Sequence, residues 1–174
     1  MTPTPVRAIA VLAIGDSVMI GAATQLQEAI PGVAIDAAQG RQAWSAADIL
    51  QPYVASGRAG GIVVIHLGNN YTFTPQVLDE IMQVLAGVRK VVFVNVKVPR
   101  PWEAATNAAL AAAPGKYAGT ALVDWYAASA NHPEYFWEDG MHLRPEGAAV
   151  YAKLIAAAIE AGAATAGQPG KTGN

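Results

Sequence analysis

The chain has 174 residues, of which 53% are hydrophobic and 14% charged, and its formal net charge is -2. That length suits one domain burying roughly two thirds of its unfolded surface, and the scattered lysines and arginines exclude the basic face that nucleic acid or anionic lipid requires. With no cysteine, thiol catalysis and thiolate metal sites are excluded and the redox compartment stays open.

Met1-Thr2-Pro3-Thr4-Pro5 lacks the apolar core of a signal peptide and reads as an extended linker over residues 1–6. A continuous apolar run, Ala8 to Ile14, then predicts a buried strand at about 7–14. Gly15-Asp16-Ser17 follows as a tight turn, and a helix is expected over about 18–30. Strand patterns recur at about 33–37, 61–67, 90–95 and 120–124, alternating with helical patterns at about 45–56, 75–86, 102–112 and 146–165. Such alternation predicts a parallel sheet covered by helices on both faces, an α/β architecture. Pro145 suits the first position of the last helix, whose alanine-rich body is either a packed face or simple propensity. The catalytic-sized domain is expected over 7–166, with 167–174 a polar, glycine-rich disordered tail. No stretch approaches the ~20 apolar residues of a membrane span.

Three segments carry chemistry. Ser17 ends a strand-like run at the carboxyl edge of the expected sheet, where open α/β sheets bind ligands. Far downstream, Asp139-Gly140-Met141-His142 offers an imidazole and, three residues before it, a carboxylate able to hold that ring in one tautomer. A serine hydroxyl needs both to become a nucleophile at neutral pH. The run Gly61 to Leu67 ends in Gly68-Asn69-Asn70, where an asparagine could donate to an oxyanion on the same edge. Each piece has a plainer use by itself: Ser17 as a helix cap, Asp16 as a turn former, Gly68-Asn69 as an ordinary turn after a strand. No Gly-x-Ser-x-Gly elbow occurs, which argues against the α/β-hydrolase fold. His66 reads as a core or rim residue of its strand and His132 as a loop residue, since the histidines lack the close helical spacing of a zinc pair. No cofactor is called for.

In order, Gly15-Asp16-Ser17, Gly40, Gly68-Asn69-Asn70 and Asp139-Gly140-Met141-His142 resemble the four blocks of the SGNH (GDSL-type) hydrolase superfamily and span nearly the whole chain. The resemblance implies a three-layer α/β/α sandwich with a five-stranded parallel sheet, flavodoxin-like in layout. It also implies Ser17 as nucleophile, His142 as base and Asp139 as its orienter, with the Ser17 amide, Gly40 and Asn70 as oxyanion donors. Asn70 rather than Asn69 fits the family's Gly-x-Asn. Gly15-Asp16-Ser17-Val18-Met19, Gly40-Arg41-Gln42, Val98-Pro99-Arg100-Pro101-Trp102-Glu103, Val123-Asp124-Trp125-Tyr126 and Tyr135-Phe136-Trp137-Glu138-Asp139-Gly140 resemble, more narrowly, the extracytoplasmic SGNH domain of membrane-linked O-acetyltransferases acting on peptidoglycan and other surface polysaccharides. Val-Met after the serine departs from the leucine of many GDSL esterases.

The implied function is serine-dependent transfer of an acetyl group from a donor to a hydroxyl of a cell-surface glycan, or to water. A membrane acyltransferase part in the parent protein is the implied partner, and a periplasmic or cell-surface location goes with it. A small-ester or lysophospholipid esterase and a non-catalytic glycan-binding module are the alternatives. Trp44 and Trp137 are the aromatic candidates for stacking on sugar rings, while Phe73 and Phe136 suit loop packing equally well. Arg100 either contacts substrate or pairs with Glu103.

Overall fold

A computed structural model describes residues 10–161; the expected linker at 1–6 and tail at 167–174 lie outside them. The chain runs β1 (Val11–Gly15), α1 (Ser17–Gly21), α2 (Ala23–Ala29), β2 (Ala34–Ala37), α3 (Ala46–Ala55), β3 (Ile62–His66), α4 (Pro75–Val84), β4 (Lys90–Val94), α5 (Glu103–Ala111), α6 (Ala113–Lys116), β5 (Thr120–Val123), α7 (Trp125–Ser129) and α8 (Pro145–Glu160). Short 3₁₀ turns occupy Ala43–Ser45 and Pro133–Tyr135. The strands form one parallel sheet in the order β2-β1-β3-β4-β5, the flavodoxin-like order expected. All five strands therefore end on one edge.

The apolar strands read as continuous runs because both faces are covered. Successive side chains alternate between two cores. Val11 and Ala13 face the core closed by α1, α2, α7 and α8, whereas Leu12 and Ile14 face the one closed by α3, α4 and α5. Part of the alanine content of α8 belongs to a packed face: Ala148 and Ala152 are buried with Tyr151 and Ile155 against the sheet, while Ala157 is exposed. Trp125, the largest fully buried side chain, stands between Tyr135, Phe136 and Tyr151 with ring centroids 5.5–6.2 Å away.

Element ends follow local chemistry. Thr74 caps α4 by accepting from the Val77 amide, with Pro75 at the first helical position, and Asp124 caps α7 through the Ala127 amide. The single helix expected over 18–30 is two, broken at Ala22, which leaves the helical region at φ -106°, ψ 7°. That bend allows the first turn to stand over the β1 end while the second packs along α8. The short helices α6 and α7 were absent from the sequence reading, being too brief to show a helical repeat.

Gly147 lies in the first turn of α8 where it meets the segment leading to Asp139. A methyl group there would overlap the Tyr135 carbonyl and its Cβ. Gly147→Ala is expected to cost about 1–3 kcal/mol of stability, measured as a lower denaturation midpoint in urea. An unchanged midpoint would show that the contact gives way freely.

Candidate active site

The β1 and β3 ends are neighbours at the point where strand order reverses, and a crevice opens there in sheets of this kind. Ser17 is the first residue of α1, directly beyond β1. Asp16, not Ser17, is the helix cap: its Oδ1 accepts from the Val18 amide at 3.0 Å. The serine hydroxyl is thereby left free of capping duty, and its Oγ donates to His142 Nε2 at 2.9 Å.

His142 arrives on a tight loop. Asp139 Oδ1 accepts from the amides of Met141 and His142, both at 2.9 Å, while Oδ2 accepts from His142 Nδ1 at 2.6 Å. One carboxylate thus folds its own loop and orients the ring. The loop base is closed by Trp137 N donating to His142 O at 2.8 Å, by the Phe136–Leu143 bridge and by Arg144 Nε donating to Phe136 O at 2.7 Å. Gly140, at φ 70°, makes the turn without the strain that a Cβ brings. Burial pushes the Asp139 carboxyl upward, but its hydrogen bonds from the ring and the two amides outweigh this and hold it below the ordinary value.

From β3, Gly68 takes φ 114°, and a Cβ there would strike Thr106. The two asparagines after it diverge. Asn69 is buried, and its Nδ2 donates to Asp16 Oδ2 at 3.0 Å and toward His66 Nε2 at 3.4 Å. Asn70 is half-buried, and its Nδ2 reaches Asp16 Oδ2 and the Arg41 carbonyl, each at 3.3 Å. Both bonds are long, so one amide hydrogen can turn to a ligand while Asp16 keeps the other. This separates the half-buried Asn70 from the buried Asn69.

Sequence reading assigned Asp16 to turn formation; the structure gives it more. Its fully buried carboxylate joins the α1 cap to both asparagines. Beneath it the fully buried His66 bonds through Nδ1 to Tyr151 Oη at 2.8 Å. Burial drives the His66 pKa down, opposed by the Asp16 charge and the Asn95 backbone, which favours the neutral ring. Among the described residues no buried side-chain nitrogen or oxygen lacks a partner. Nothing in the spacing of Asp16, Asn69, His66 and Tyr151 announces this network, whose longest single bond spans 85 positions.

Gly40 sits in an exposed turn at φ 70° after β2. The residue behind it is clamped: Arg41 Nη1 donates to Asp36 O at 2.6 Å and Gly15 O at 3.3 Å, and Nη2 meets Asp36 Oδ1 at 2.7 Å. Tyr53 Oη donates to Asp36 Oδ2 at 2.9 Å. This clamp, unseen in the sequence, ties the Gly40 turn to the end of β1. Trp44 and Trp137 are 63% and 50% exposed, whereas Phe73 and Phe136 are buried. Arg100 does not pair with Glu103: its Nη1 donates to Pro99 O at 3.3 Å, and Glu103 accepts from the Val98 amide instead. No hydrogen bond joins Arg100 to Ser17, His142 or Asp139 among the described residues. No cluster there is arranged to hold a metal ion.

Because the folded chain refuses a proton at His66 that the unfolded chain accepts near pH 6.5, stability is full above that pH and erodes below it. Urea midpoints are expected to fall between pH 7 and pH 5, with a flatter slope in His66→Gln. An equal slope in both would remove His66 as the cause.

No protein-family model matches the chain. It is 38% identical over 150 residues to the O-acetyltransferase OatA of Staphylococcus aureus, a match covering 86% of this chain and 25% of OatA; the chain thus spans about a quarter of that relative's length. Its fold superposes with a TM-score of 0.78 and 26% identity on the C-terminal catalytic domain of Streptococcus pneumoniae peptidoglycan O-acetyltransferase A bearing a methylsulfonyl adduct, covering 90% of this chain and 96% of that one. A lipolytic G-D-S-L family protein of Veillonella parvula shares the fold alone, at a TM-score of 0.65 and 10% identity over 86% of this chain and 96% of that one. On sequence and architecture together, the chain is similar to the catalytic domain of peptidoglycan O-acetyltransferases and has the fold of the SGNH (GDSL-type) hydrolases.

Proposed function

We propose that this domain transfers an acetyl group through a Ser17 acyl-enzyme to a hydroxyl of a cell-wall glycan, with water as the competing acceptor. The observation that carries the reading is the continuous hydrogen-bonded line from Ser17 Oγ through His142 to Asp139, at 2.9 and 2.6 Å. The likeness to O-acetyltransferases supports the choice of acetyl and glycan.

In the first half-reaction His142 Nε2 takes the Ser17 proton as Oγ bonds to the acetyl carbonyl carbon. The carbonyl electron pair moves onto oxygen, and the Ser17 and Gly40 amides and the Asn70 carboxamide receive that charge. Collapse breaks the bond to the donor's leaving group, which departs with the proton from His142. In the second half a glycan hydroxyl loses its proton to His142 and attacks acetyl-Ser17; collapse restores Ser17 Oγ–H and frees the acetylated glycan. Asp139 holds the ring's tautomer and stabilises the imidazolium in both halves. Asp16 acts through Asn70 as a positioning residue. The exposed indoles of Trp44 and Trp137 offer apolar faces to sugar rings.

No helix among the described residues is long and apolar enough to cross a membrane. In this reading a membrane acyltransferase part of the parent protein supplies the acetyl donor, and the domain works outside the cytoplasm, where its glycan lies.

Incubation with 4-nitrophenyl acetate is expected to add one acetyl group at Ser17, seen by intact-mass and peptide mass spectrometry. Ser17→Ala should reduce release of 4-nitrophenol to background; full residual turnover would end the assignment. Asp139→Asn should lower kcat by roughly 10³–10⁴-fold, by freeing the wrong tautomer of His142. Asp16→Asn replaces an acceptor oxygen with a donor facing Asn69 and Asn70, and should lower kcat about tenfold or more with little change in KM. A selective rise in KM would instead place Asp16 in substrate binding.

A further inference from the structure

Beside the Asp139–His142 loop, on the same sheet edge, lies a cavity of about 490 Å³, of whose lining the chemistry above uses only Trp137. Lys97, beyond β4, and Arg144, at the start of α8, line it with Trp137, Glu138 and Gly140. The loop that presents His142 to Ser17 is thus also the cavity wall. Gly140 stands two residues from His142, hence within about 8 Å of it along the chain.

The charges in this wall are unbalanced. Lys97 Nζ lies 4.8 Å above the Tyr126 ring, and the Arg144 guanidinium 4.6 Å above the Trp137 ring. Neither forms an ion pair with a carboxylate among the described residues. Arg144 spends only Nε on the protein, through the Phe136 carbonyl, so its two terminal nitrogens remain available as a fork. Such a fork matches a carboxylate in two parallel hydrogen bonds. Glu138 is the only acid in the lining, so the cavity carries two cations against one anion. The exposed indole of Trp137 beside these cations adds an apolar platform of sugar-ring size.

Resting on the acyl-transfer reading, we propose that this cavity is an acceptor subsite that holds a carboxylate borne by the glycan, between Arg144 and Lys97. A neighbouring hydroxyl of the same glycan is then presented across the loop to His142. Specificity for an acidic acceptor over a neutral one is thereby set by residues outside the catalytic line.

The test uses the full chain without an acetyl donor, so that binding is read independently of turnover. An N-acetylhexosamine tetrasaccharide with lactyl-ether carboxylates on alternate sugars is titrated by calorimetry, beside the same compound with each carboxylate converted to a carboxamide. A third probe carries a short peptide on each lactyl group, ending in its own carboxylate. The acid is expected to bind roughly tenfold more tightly than the amide, as for one charge-assisted contact, and less so at high salt. Lys97→Gln and Arg144→Gln should each remove most of that preference, and Glu138→Gln should enlarge it, which a purely structural role would not do. Lys97 bonds no backbone group among the described residues, so its variant remains informative if Arg144→Gln disturbs the loop. Tight, Lys97-dependent binding of the peptide probe would support the subsite and place the anion on the peptide. Equal binding of acid and amide, or a preference that survives both cation variants in folded protein, would overturn the proposal. Loss of acetyl-Ser17 with the acid preference intact would instead sink the catalytic reading alone.

Discussion

A carboxylate with no exposed surface, that of Asp16, is the constraint on which the crevice depends. No ion pair meets it among the described residues; its partners are the Val18 amide and the Asn69 and Asn70 carboxamides. A buried charge is tolerable only when its lone pairs are filled by well-placed donors. The donors must therefore come to it, and in coming they draw the start of α1 and the end of β3 together at the switch point. The neutral His66, bonded to Tyr151 of α8, completes the floor. Preorganisation here is hydrogen-bond satisfaction carried across three elements.

The Asp139–His142 loop is built on a different principle. Asp139 satisfies two amides of its own loop and one ring nitrogen, so base and orienter are positioned by contacts within four residues. What is not local is the loop's placement over Ser17. That comes from the Phe136–Leu143 bridge, the Arg144 bond to Phe136 and the packing of Tyr135 and Phe136 on Trp125. On the other flank the Arg41 clamp fixes the Gly40 turn against β1, and the Arg41 carbonyl steadies Asn70. The crevice is thus bordered by one self-folded loop and one clamped turn.

The cavity beyond the loop follows from this arrangement. Because Trp137, Arg144 and His142 belong to one short segment, a ligand held by the first two lies across a single chain width from the third. In the proposed reading, acceptor choice and acyl chemistry are then tuned by separate residues that share one scaffold.

Much of this was legible in the chain itself. Apolar runs alternating with helical repeats are a local property, so the parallel sheet and its five strands were readable, and Ser17, Asp139, His142 and Asn70 stood out as the residues to watch. The break at Ala22 and the brief α6 and α7 were not, since segments of one turn carry no period. Nor were the Asp16 carboxylate as a tether, the Arg41–Asp36–Tyr53 clamp, or the unpaired Lys97 and Arg144 over their rings. Each of these depends on groups far apart in sequence meeting with hydrogen-bond geometry, or on a cation failing to meet an anion. Periodicity and turn chemistry act over a few residues and are written in order along the chain; burial, charge balance and the aim of a side chain arise only when the sheet has brought its strand ends to one edge.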